Sequence, residues 1–282
     1  MARVAFGEVR SNVRSAGGTA TAARPRGSVR DVPSRLWDRF RNGFDVAVSM
    51  AALVMLSPLM LAVAILTKLD SSGPVLFRQE RIGRNRRRTP SSARSESHER
   101  RRRDLHGRPF AFYKFRTMFA DASSRFPHLY DYSHCKDELR SLPIKMLMAK
   151  RADARLDRGV RSWSKDALQE NDPRVTRLGR WLRRTSLDEL PNLVNVLKGD
   201  MTLVGPRPDI ADNIRHYEAH ELRKLDVKPG VTGLAQVEGR GLLSFEETNQ
   251  LDLKYLDARS FWVDARILVR TLVELIRARG AY

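Results

Sequence analysis

The uncharged stretch VAVSMAALVMLSPLMLAVAIL, residues Val46–Leu66, decides how this chain can fold. Its 21 residues include no charged side chain. At a rise of about 1.5 Å per residue, a straight helix of this length would cross a hydrocarbon core of roughly 30 Å. The simplest interpretation is therefore a single transmembrane helix.

Two features of this stretch argue against a simple span. Pro58 follows Ser57 inside it, and a proline removes a helix hydrogen bond and clashes with the preceding turn. Ser57 could satisfy the backbone group that is freed. Basic residues also flank the stretch on both sides, and the positive-inside rule places both flanks in the cytoplasm. They are Arg35, Arg39 and Arg41 before it, and Lys68, Arg78, Arg81 and Arg84 after it.

A re-entrant helix that breaks at Pro58 and returns satisfies both features, and we favour it over a spanning helix. A helix buried inside a soluble protein is the third alternative. Trp37 and Phe40 are residues typical of a membrane interface. The segment 33–70 is therefore predicted to combine an interfacial part with a re-entrant membrane helix.

The net charge is +19, from 52 Lys and Arg against 33 Asp and Glu. It indicates an acidic partner, which could be nucleic acid, an anionic phospholipid bilayer or a phosphorylated substrate.

Eleven arginines lie within 81–108, where we predict a disordered basic loop near 85–107 that attracts lipid headgroups. The loop lacks interleaved aromatic residues for base stacking, so nucleic acid is not an expected partner. Residues 1–32 are predicted to be a disordered basic tail.

A second stretch, Thr185-Ser-Leu-Asp-Glu-Leu-Pro191, places two carboxylates side by side, Asp188 and Glu189. Adjacent residues of a helix point about 100° apart, so the two carboxylates suit two different roles. A purely local role is equally open. Ser186 followed three residues later by Glu189 is the pattern of a capping box, which would start a helix near Ser186.

Arginines lie on both sides of these carboxylates. Arg183 and Arg184 precede them, and Arg207 follows in the sequence Gly205-Pro-Arg-Pro208. A guanidinium group can bind phosphate in bidentate fashion, and the flanking prolines restrict the backbone around Arg207. Carboxylates, cations and a stiff arginine loop together indicate chemistry on a phosphate.

Patterns elsewhere predict further elements. Alternation in 110–118 predicts a strand with Lys114 and Arg116 on one face. By pattern alone, that face could meet an anionic substrate or be a solvated strand edge. We expect a helix over Ala211–Leu225 and an amphipathic helix over Ser260–Arg279. The amphipathic helix suits a position on the bilayer surface or on the protein core.

Three segments in this order resemble the bacterial sugar transferase family, the monotopic polyprenol-phosphate phosphoglycosyl transferases. They are SPLMLAVAILTKLDSSGPVLFRQERIGR (57–84), YKFRTM (113–118) and DPRVTRLGRWLRRTSLDELPNLVNVLKGDMTLVGPRP (172–208). The resemblance covers roughly 33–280. Family members lack most of the segment near 86–106.

The resemblance implies a reaction. Asp188 matches the nucleophile that attacks the β-phosphorus of a UDP-sugar and releases UMP, leaving an aspartyl-phosphosugar. Undecaprenyl phosphate would then take the sugar phosphate, and Glu189 matches the partner carboxylate. The family uses Mg²⁺, which would bridge Asp188 and phosphate oxygens. Lys114, Arg183 and Arg207, with Pro206 beside the last, match substrate-binding positions.

These inferences together predict a helix-rich α/β fold in a monotopic membrane protein with a re-entrant broken helix and surface amphipathic helices. Residues 71–282 would form the cytoplasmic transferase domain, on the cytoplasmic face of the bacterial inner membrane. The chain could also form homo-oligomers. Two other functions stay open: a non-catalytic membrane scaffold for glycan assembly, and a basic nucleic-acid-binding protein.

Overall fold

The computed structural model of the chain describes residues 35–85, 106–127, 172–239 and 243–276. The predicted disordered tail at 1–32 lies outside the described residues, as does nearly all of the predicted basic loop near 85–107. The described helices are α1 (Arg35–Asp70), α2 (Ala122–Arg125), α3 (Arg177–Thr185), α4 (Asn192–Leu197), α5 (Ala211–Ile214), α6 (Leu234–Gly239), α7 (Phe245–Ala258) and α8 (Phe261–Ile276). Short 3-10 helices occupy Leu187–Glu189 and Glu221–Asp226.

Two small sheets accompany the helices, which confirms a helix-rich α/β fold. Strands β1 (Leu76–Ile82) and β2 (Pro109–Phe115) pair antiparallel, with Leu76 opposite Phe115 and Ile82 opposite Pro109. Strands β3 (Thr202–Val204) and β4 (Gly230–Thr232) pair parallel, with Thr202 opposite Gly230. The predicted strand at 110–118 therefore exists, and it ends at Phe115.

Helix α1 is long and apolar enough to cross a membrane. It runs continuously through Pro58, so the predicted break of the helix at that residue is not confirmed. The Ser57 hydroxyl donates a hydrogen bond of 2.8 Å to the Val54 carbonyl. That carbonyl lies four residues before Pro58 and would otherwise lack a donor, because proline has no amide hydrogen.

The middle of α1 presents apolar side chains outward. Val54 is 68% exposed and Met55 is 75% exposed. Large apolar side chains exposed along one helix are typical of contact with lipid or a partner. This exposure agrees with association of the protein with a membrane.

Both ends of α1 are attached to the globular part of the protein. Near the N-terminal end, the Arg41 guanidinium forms an ion pair of 2.8 Å with Asp264 and donates hydrogen bonds to the Val204 carbonyl and the Tyr255 hydroxyl. The Asp45 carboxylate accepts a hydrogen bond from the Thr202 hydroxyl. Polar contacts therefore tie this end to β3, α7 and α8.

The C-terminal end of α1 packs through a small hydrophobic core. Val63 is buried against Phe115 of β2 and Leu182 of α3. A larger core lies under the middle of α1, where Leu53 packs against a cluster that includes Leu203 and Tyr255. The two cores fix α1 on the same body that carries α3, β2 and β3.

Arg116 lies at the C-terminal end of α1 and not at a substrate-facing surface, so that prediction is wrong. Its buried guanidinium donates hydrogen bonds of 2.6 Å to the Ser72 carbonyl, 2.5 Å to the Ser71 carbonyl and 3.2 Å to the Thr67 carbonyl. The last carbonyls of a helix lack intrahelical donors, and a cation suits the negative end of the helix dipole. Because β2 ends at Phe115, Arg116 leaves the strand alternation.

The predicted helix over Ala211–Leu225 is also wrong. Helix α5 ends at Ile214, and a 3-10 helix begins at Glu221. The Glu221 carboxylate accepts a hydrogen bond of 2.7 Å from the Glu218 amide, which starts this new turn. Lys224 of this 3-10 helix is buried inside the protein. The amphipathic helix predicted over Ser260–Arg279 is confirmed as α8.

Arg116→Met should lower the thermal unfolding midpoint in detergent by about 5–15 °C, because it removes charged hydrogen bonds to three carbonyls at the end of α1. Arg125→Met is the matched control, since Arg125 is half exposed, pairs with Asp121 one helical turn away and lies over the ring of Phe119. We expect the control to shift the midpoint by less than about 2 °C. Equal shifts in the two variants would contradict this role of Arg116.

Candidate active site

The carboxylate pair lies on a tight turn between two helices. Helix α3 ends at Thr185, and Ser186 adopts a left-handed backbone with φ of 56°. The chain then forms the 3-10 helix Leu187–Glu189, which carries both carboxylates. The turn thus sets Asp188 and Glu189 apart from the regular helices on either side.

The predicted helix start and capping box at Ser186 are wrong. Within the described part of the chain, the Ser186 side chain makes no capping hydrogen bond, and α4 begins only at Asn192. Pro191 explains the difference, since a proline is tolerated at the start of a helix but not in its second turn. A capping box does exist, between Ser244 and Glu247 at the start of α7.

Glu189 lies between two cations. Its Oε1 atom is 2.5 Å from Lys114 Nζ, which comes from β2, and 2.9 Å from Arg207 Nη2, which comes from the loop after β3. The Glu189 side chain is 12% exposed. This carboxylate therefore joins three separate segments of the chain.

Asp188 is buried beside this cluster but is held less tightly. Its Oδ2 atom is 3.7 Å from Lys114 Nζ. Its Oδ1 atom is buried and accepts no hydrogen bond from any residue that the structure describes. A buried carboxylate oxygen without a partner is costly to stability, and such groups are found where a ligand completes the site.

The two carboxylates have pKa values that move in opposite directions. Burial raises the pKa of Asp188, and the negative charge of Glu189 adds to this effect, although Lys114 opposes it. For Glu189, burial is outweighed by the charges and hydrogen bonds of Arg207 and Lys114, which hold its pKa well below the usual range. Burial also lowers the pKa of Lys114. Neighbouring acids with separated pKa values suit different roles.

Arg183 and Pro206 complete the predicted set. The Arg183 Nε atom donates a hydrogen bond of 2.9 Å to the Thr117 hydroxyl, and its charge favours the ionised form of Asp188. Pro206 is buried, and its carbonyl accepts a hydrogen bond of 2.8 Å from the Gly230 amide. This hydrogen bond holds the loop at 205–208, which we call the Arg207 loop. Thr117 was missed by sequence reasoning, although it lies in the quoted segment YKFRTM.

A magnesium ion would have to use the Asp188 carboxylate. The described residues contain no group of three or more His, Cys, Asp or Glu side chains that could hold a metal ion. Mg²⁺ is commonly bound by one or two carboxylates together with substrate phosphates. The unpartnered Asp188 Oδ1 is a donor of this kind, so the residues present fit a metal that arrives with a phosphorylated ligand.

The sequence profile of the family described as bacterial sugar transferase matches residues 36–278. The chain belongs to the bacterial sugar transferase family. Within this family, it is 35% identical over 242 residues to the undecaprenyl-phosphate galactose phosphotransferase of Salmonella typhimurium, covering 86% of this chain and 41% of that protein. It is 36% identical over 246 residues to the UDP-glucose:undecaprenyl-phosphate glucose-1-phosphate transferase of Xanthomonas campestris pv. campestris, covering 84% of this chain and 39% of that protein.

A sugar transferase family relative of similar length is the exopolysaccharide production protein ExoY of Rhizobium meliloti. It is 30% identical over 274 residues, which covers 97% of this chain and 100% of that protein. The chain spans about two fifths of the Salmonella and Xanthomonas relatives. The family match at 36–278 runs through Lys114, Asp188, Glu189 and Arg207.

Asp188→Asn should raise the thermal unfolding midpoint by a few degrees at pH 8. A folded-state pKa above the unfolded value means that the ionised carboxylate destabilises the fold, and this penalty appears as the pH rises through the folded pKa. The advantage of the variant should therefore shrink as the pH falls from 8 towards 4 and Asp188 takes up a proton. The measurement is differential scanning fluorimetry in detergent across this range.

The matched control is Asp212→Asn, because Asp212 is exposed on the surface. Its midpoint should follow that of the unmodified protein at every pH. A lower midpoint for Asp188→Asn at pH 8 would show that the ionised carboxylate stabilises the fold, contrary to the argument.

Proposed function

We propose that the protein is a phosphoglycosyl transferase that moves a sugar 1-phosphate from a UDP-sugar to undecaprenyl phosphate and releases UMP. This would be the first membrane step of exopolysaccharide or other surface glycan synthesis. The observation that carries the proposal is the buried Asp188, with an oxygen unpartnered among the described residues, beside a Glu189 fixed by two cations.

The names of the relatives support the substrate classes. The Salmonella and Xanthomonas proteins are both named for undecaprenyl phosphate, and the Xanthomonas protein is also named for UDP-glucose. One relative is named for galactose and the other for glucose. These names favour a UDP-sugar donor and an undecaprenyl phosphate acceptor here, and they leave the sugar open.

In the first step, an Asp188 carboxylate oxygen attacks the donor phosphorus that carries the sugar. A new bond forms between this oxygen and phosphorus, and the bond from that phosphorus to the bridging oxygen of the diphosphate breaks. UMP leaves with the bridging oxygen. Attack needs the ionised carboxylate, so the cations that favour ionisation of Asp188 have a direct role.

In the second step, a phosphate oxygen of the acceptor attacks the same phosphorus. The bond between Asp188 and phosphorus breaks, the carboxylate is restored, and the product is a polyprenol diphospho-sugar. Glu189 stays ionised because of its low pKa, so its role is to orient Lys114 and Arg207 towards the phosphates. Both cations offset the negative charge that the diphosphate brings to two carboxylates.

Asp188 and the donor phosphates would also hold a Mg²⁺ ion, in agreement with the oxygen that is unpartnered among the described residues. The chemistry that bound Mg²⁺ supplies is neutralisation of charge on the diphosphate. Lys114, Arg183 and Arg207 remain the cations that the chain itself provides.

The attachment of α1 supports a re-entrant membrane segment. A spanning helix would leave its far end on the opposite side of the bilayer from the catalytic body. Instead, Arg41 and Asp45 near one end and Val63 near the other contact the same body. We infer that both ends of α1 lie on the cytoplasmic face, with the exposed Val54 and Met55 in the lipid and without a break of the helix at Pro58.

Membrane-reconstituted protein supplied with undecaprenyl phosphate, Mg²⁺ and a panel of UDP-sugars should release UMP with one donor. Without the acceptor the release should stop at about one UMP per enzyme molecule, because the aspartyl-phosphosugar is not turned over. Release should vanish in Asp188→Asn and in excess EDTA, since each removes a component of the first step. UMP release is measured by coupled assay. No UMP from any donor, with folded protein and lipid present, would overturn the assignment and favour the scaffold.

Arg207→Met should lower kcat/KM for UMP release by about 100-fold, because one ionic contact made in the transition state contributes on the order of 3 kcal/mol. Lys198→Met is the matched control. Lys198 is exposed and donates a hydrogen bond of 3.0 Å to the Tyr113 hydroxyl, next to Lys114 on β2. The control should stay within about threefold of the unmodified enzyme, and a similar loss in both variants would argue against a phosphate contact by Arg207.

A further inference from the structure

A buried ionic cluster lies directly behind the loop that carries Arg207. We define the Lys224 cluster as Asp209, Tyr217, Lys224, Asn249 and Asp252. The Lys224 Nζ atom is 3.0 Å from Asp252 Oδ2, 3.3 Å from Asp209 Oδ2 and 2.9 Å from Asn249 Oδ1. Lys224 is 3% exposed and Asp252 is fully buried. None of these five residues enters the two chemical steps described above.

Such a cluster is not explained by stability alone. Buried ion pairs are expensive to desolvate, and apolar replacements of similar volume are often as stable or more stable. Buried ionic groups can instead specify a particular geometry. The geometry to consider is that of the segment to which the cluster is attached.

That segment is the Arg207 loop. Asp209 follows Pro208. Its carboxylate accepts a hydrogen bond from the Tyr217 hydroxyl and one of 2.8 Å from the side-chain amide Nδ2 of Asn213. It also contacts Lys224. The Asp209 carbonyl accepts a hydrogen bond of 2.8 Å from the Ile82 amide. Both the backbone and the side chain of Asp209 are thus fixed to other elements.

The other end of the loop is fixed as well. The Gly205 amide donates a hydrogen bond of 2.8 Å to the Thr232 carbonyl, and the Pro206 carbonyl accepts one from the Gly230 amide. The Pro208 carbonyl accepts a hydrogen bond of 3.2 Å from the Arg81 guanidinium. Residues on both sides of Arg207 are therefore held, while its side chain extends to Glu189.

We propose that Asp209 and Lys224 are positioning residues that hold the Arg207 guanidinium at the donor phosphates. The inference rests on the proposed function, because it needs Arg207 to act on a phosphate during transfer. Loss of either charge would leave the other charge buried beside the loop, and the loop would shift. Displacements of about 1 Å at such a site are enough to reduce rates by about 100-fold.

The test compares Asp209→Asn in two backgrounds. In the unmodified enzyme, kcat/KM for UMP release should fall 10- to 100-fold. In the Arg207→Met background, the same change should cost less than about threefold, because there is no guanidinium left to position. Equal losses in the two backgrounds would overturn the proposal, since a general structural role would act in both.

Milder variants guard against a failure to fold. Tyr217→Phe removes only the hydroxyl that binds Asp209 and should lower kcat/KM, as Asp209→Asn does. Lys224→Arg should retain more activity than Lys224→Met, because it keeps the positive charge. Arg223→Met is the matched control, because Arg223 is the neighbouring cation but pairs with the exposed Asp257 at 2.6 Å. It should behave as the unmodified enzyme.

Hydrogen exchange of the backbone amides of Gly205, Arg207 and Asp209 provides a readout that does not depend on turnover. Exchange should become faster in Asp209→Asn and Lys224→Met, and not in Arg223→Met. Faster exchange in a protein that releases no UMP even when unmodified would support positioning of the loop and reject the proposed reaction. Unchanged exchange and unchanged kcat/KM in Asp209→Asn would overturn the positioning role while leaving the reaction intact.

Discussion

The Glu189 carboxylate lies between the Lys114 ammonium and the Arg207 guanidinium, and the arrangement of the site depends on these two contacts. The cations come from β2 and from the loop after β3, and they would repel each other without the anion between them. Glu189 offsets one of their two positive charges, and Asp188 lies beside the same cluster with an oxygen that no described residue satisfies. The structure thus assigns one carboxylate to assembly and leaves its neighbour available for a ligand.

The body of the protein is arranged so that these segments meet beneath the membrane helix. Helix α1 packs on the hydrophobic cores under β2 and β3, and Arg116 donates hydrogen bonds to the Thr67 carbonyl of its last turn and to the Ser71 carbonyl just beyond it. The strands that supply Lys114 and the Arg207 loop are therefore held by the helix whose apolar side chains are exposed. An acceptor that resides in the bilayer would meet its reactive partners close to where its phosphate emerges.

Elements that depend on composition and local patterns could be predicted from the sequence. Positions that depend on contacts between residues far apart in the chain could not. The uncharged run of α1, the strand containing Lys114 and the helix α8 follow from patterns that neighbouring residues share. The start of α4 does not follow from such a pattern. Glu189 was a plausible helix cap until its contacts with Lys114 and Arg207 were known. Arg116 has the same difficulty: its position in the strand pattern resembles that of Lys114, but its partners are carbonyls at 67–72. The Lys224 cluster unites residues up to 43 positions apart, which no local pattern reveals.

The hydrogen bond from Arg41 to the Val204 carbonyl joins the membrane helix to the residue just before the Arg207 loop. A displacement of α1 relative to the body would therefore act on the position of Arg207. If Arg207 acts on a phosphate as proposed, bilayer thickness and the choice of detergent would affect turnover as well as solubility. A micelle that moves α1 would then leave the fold intact and alter the chemistry from a distance.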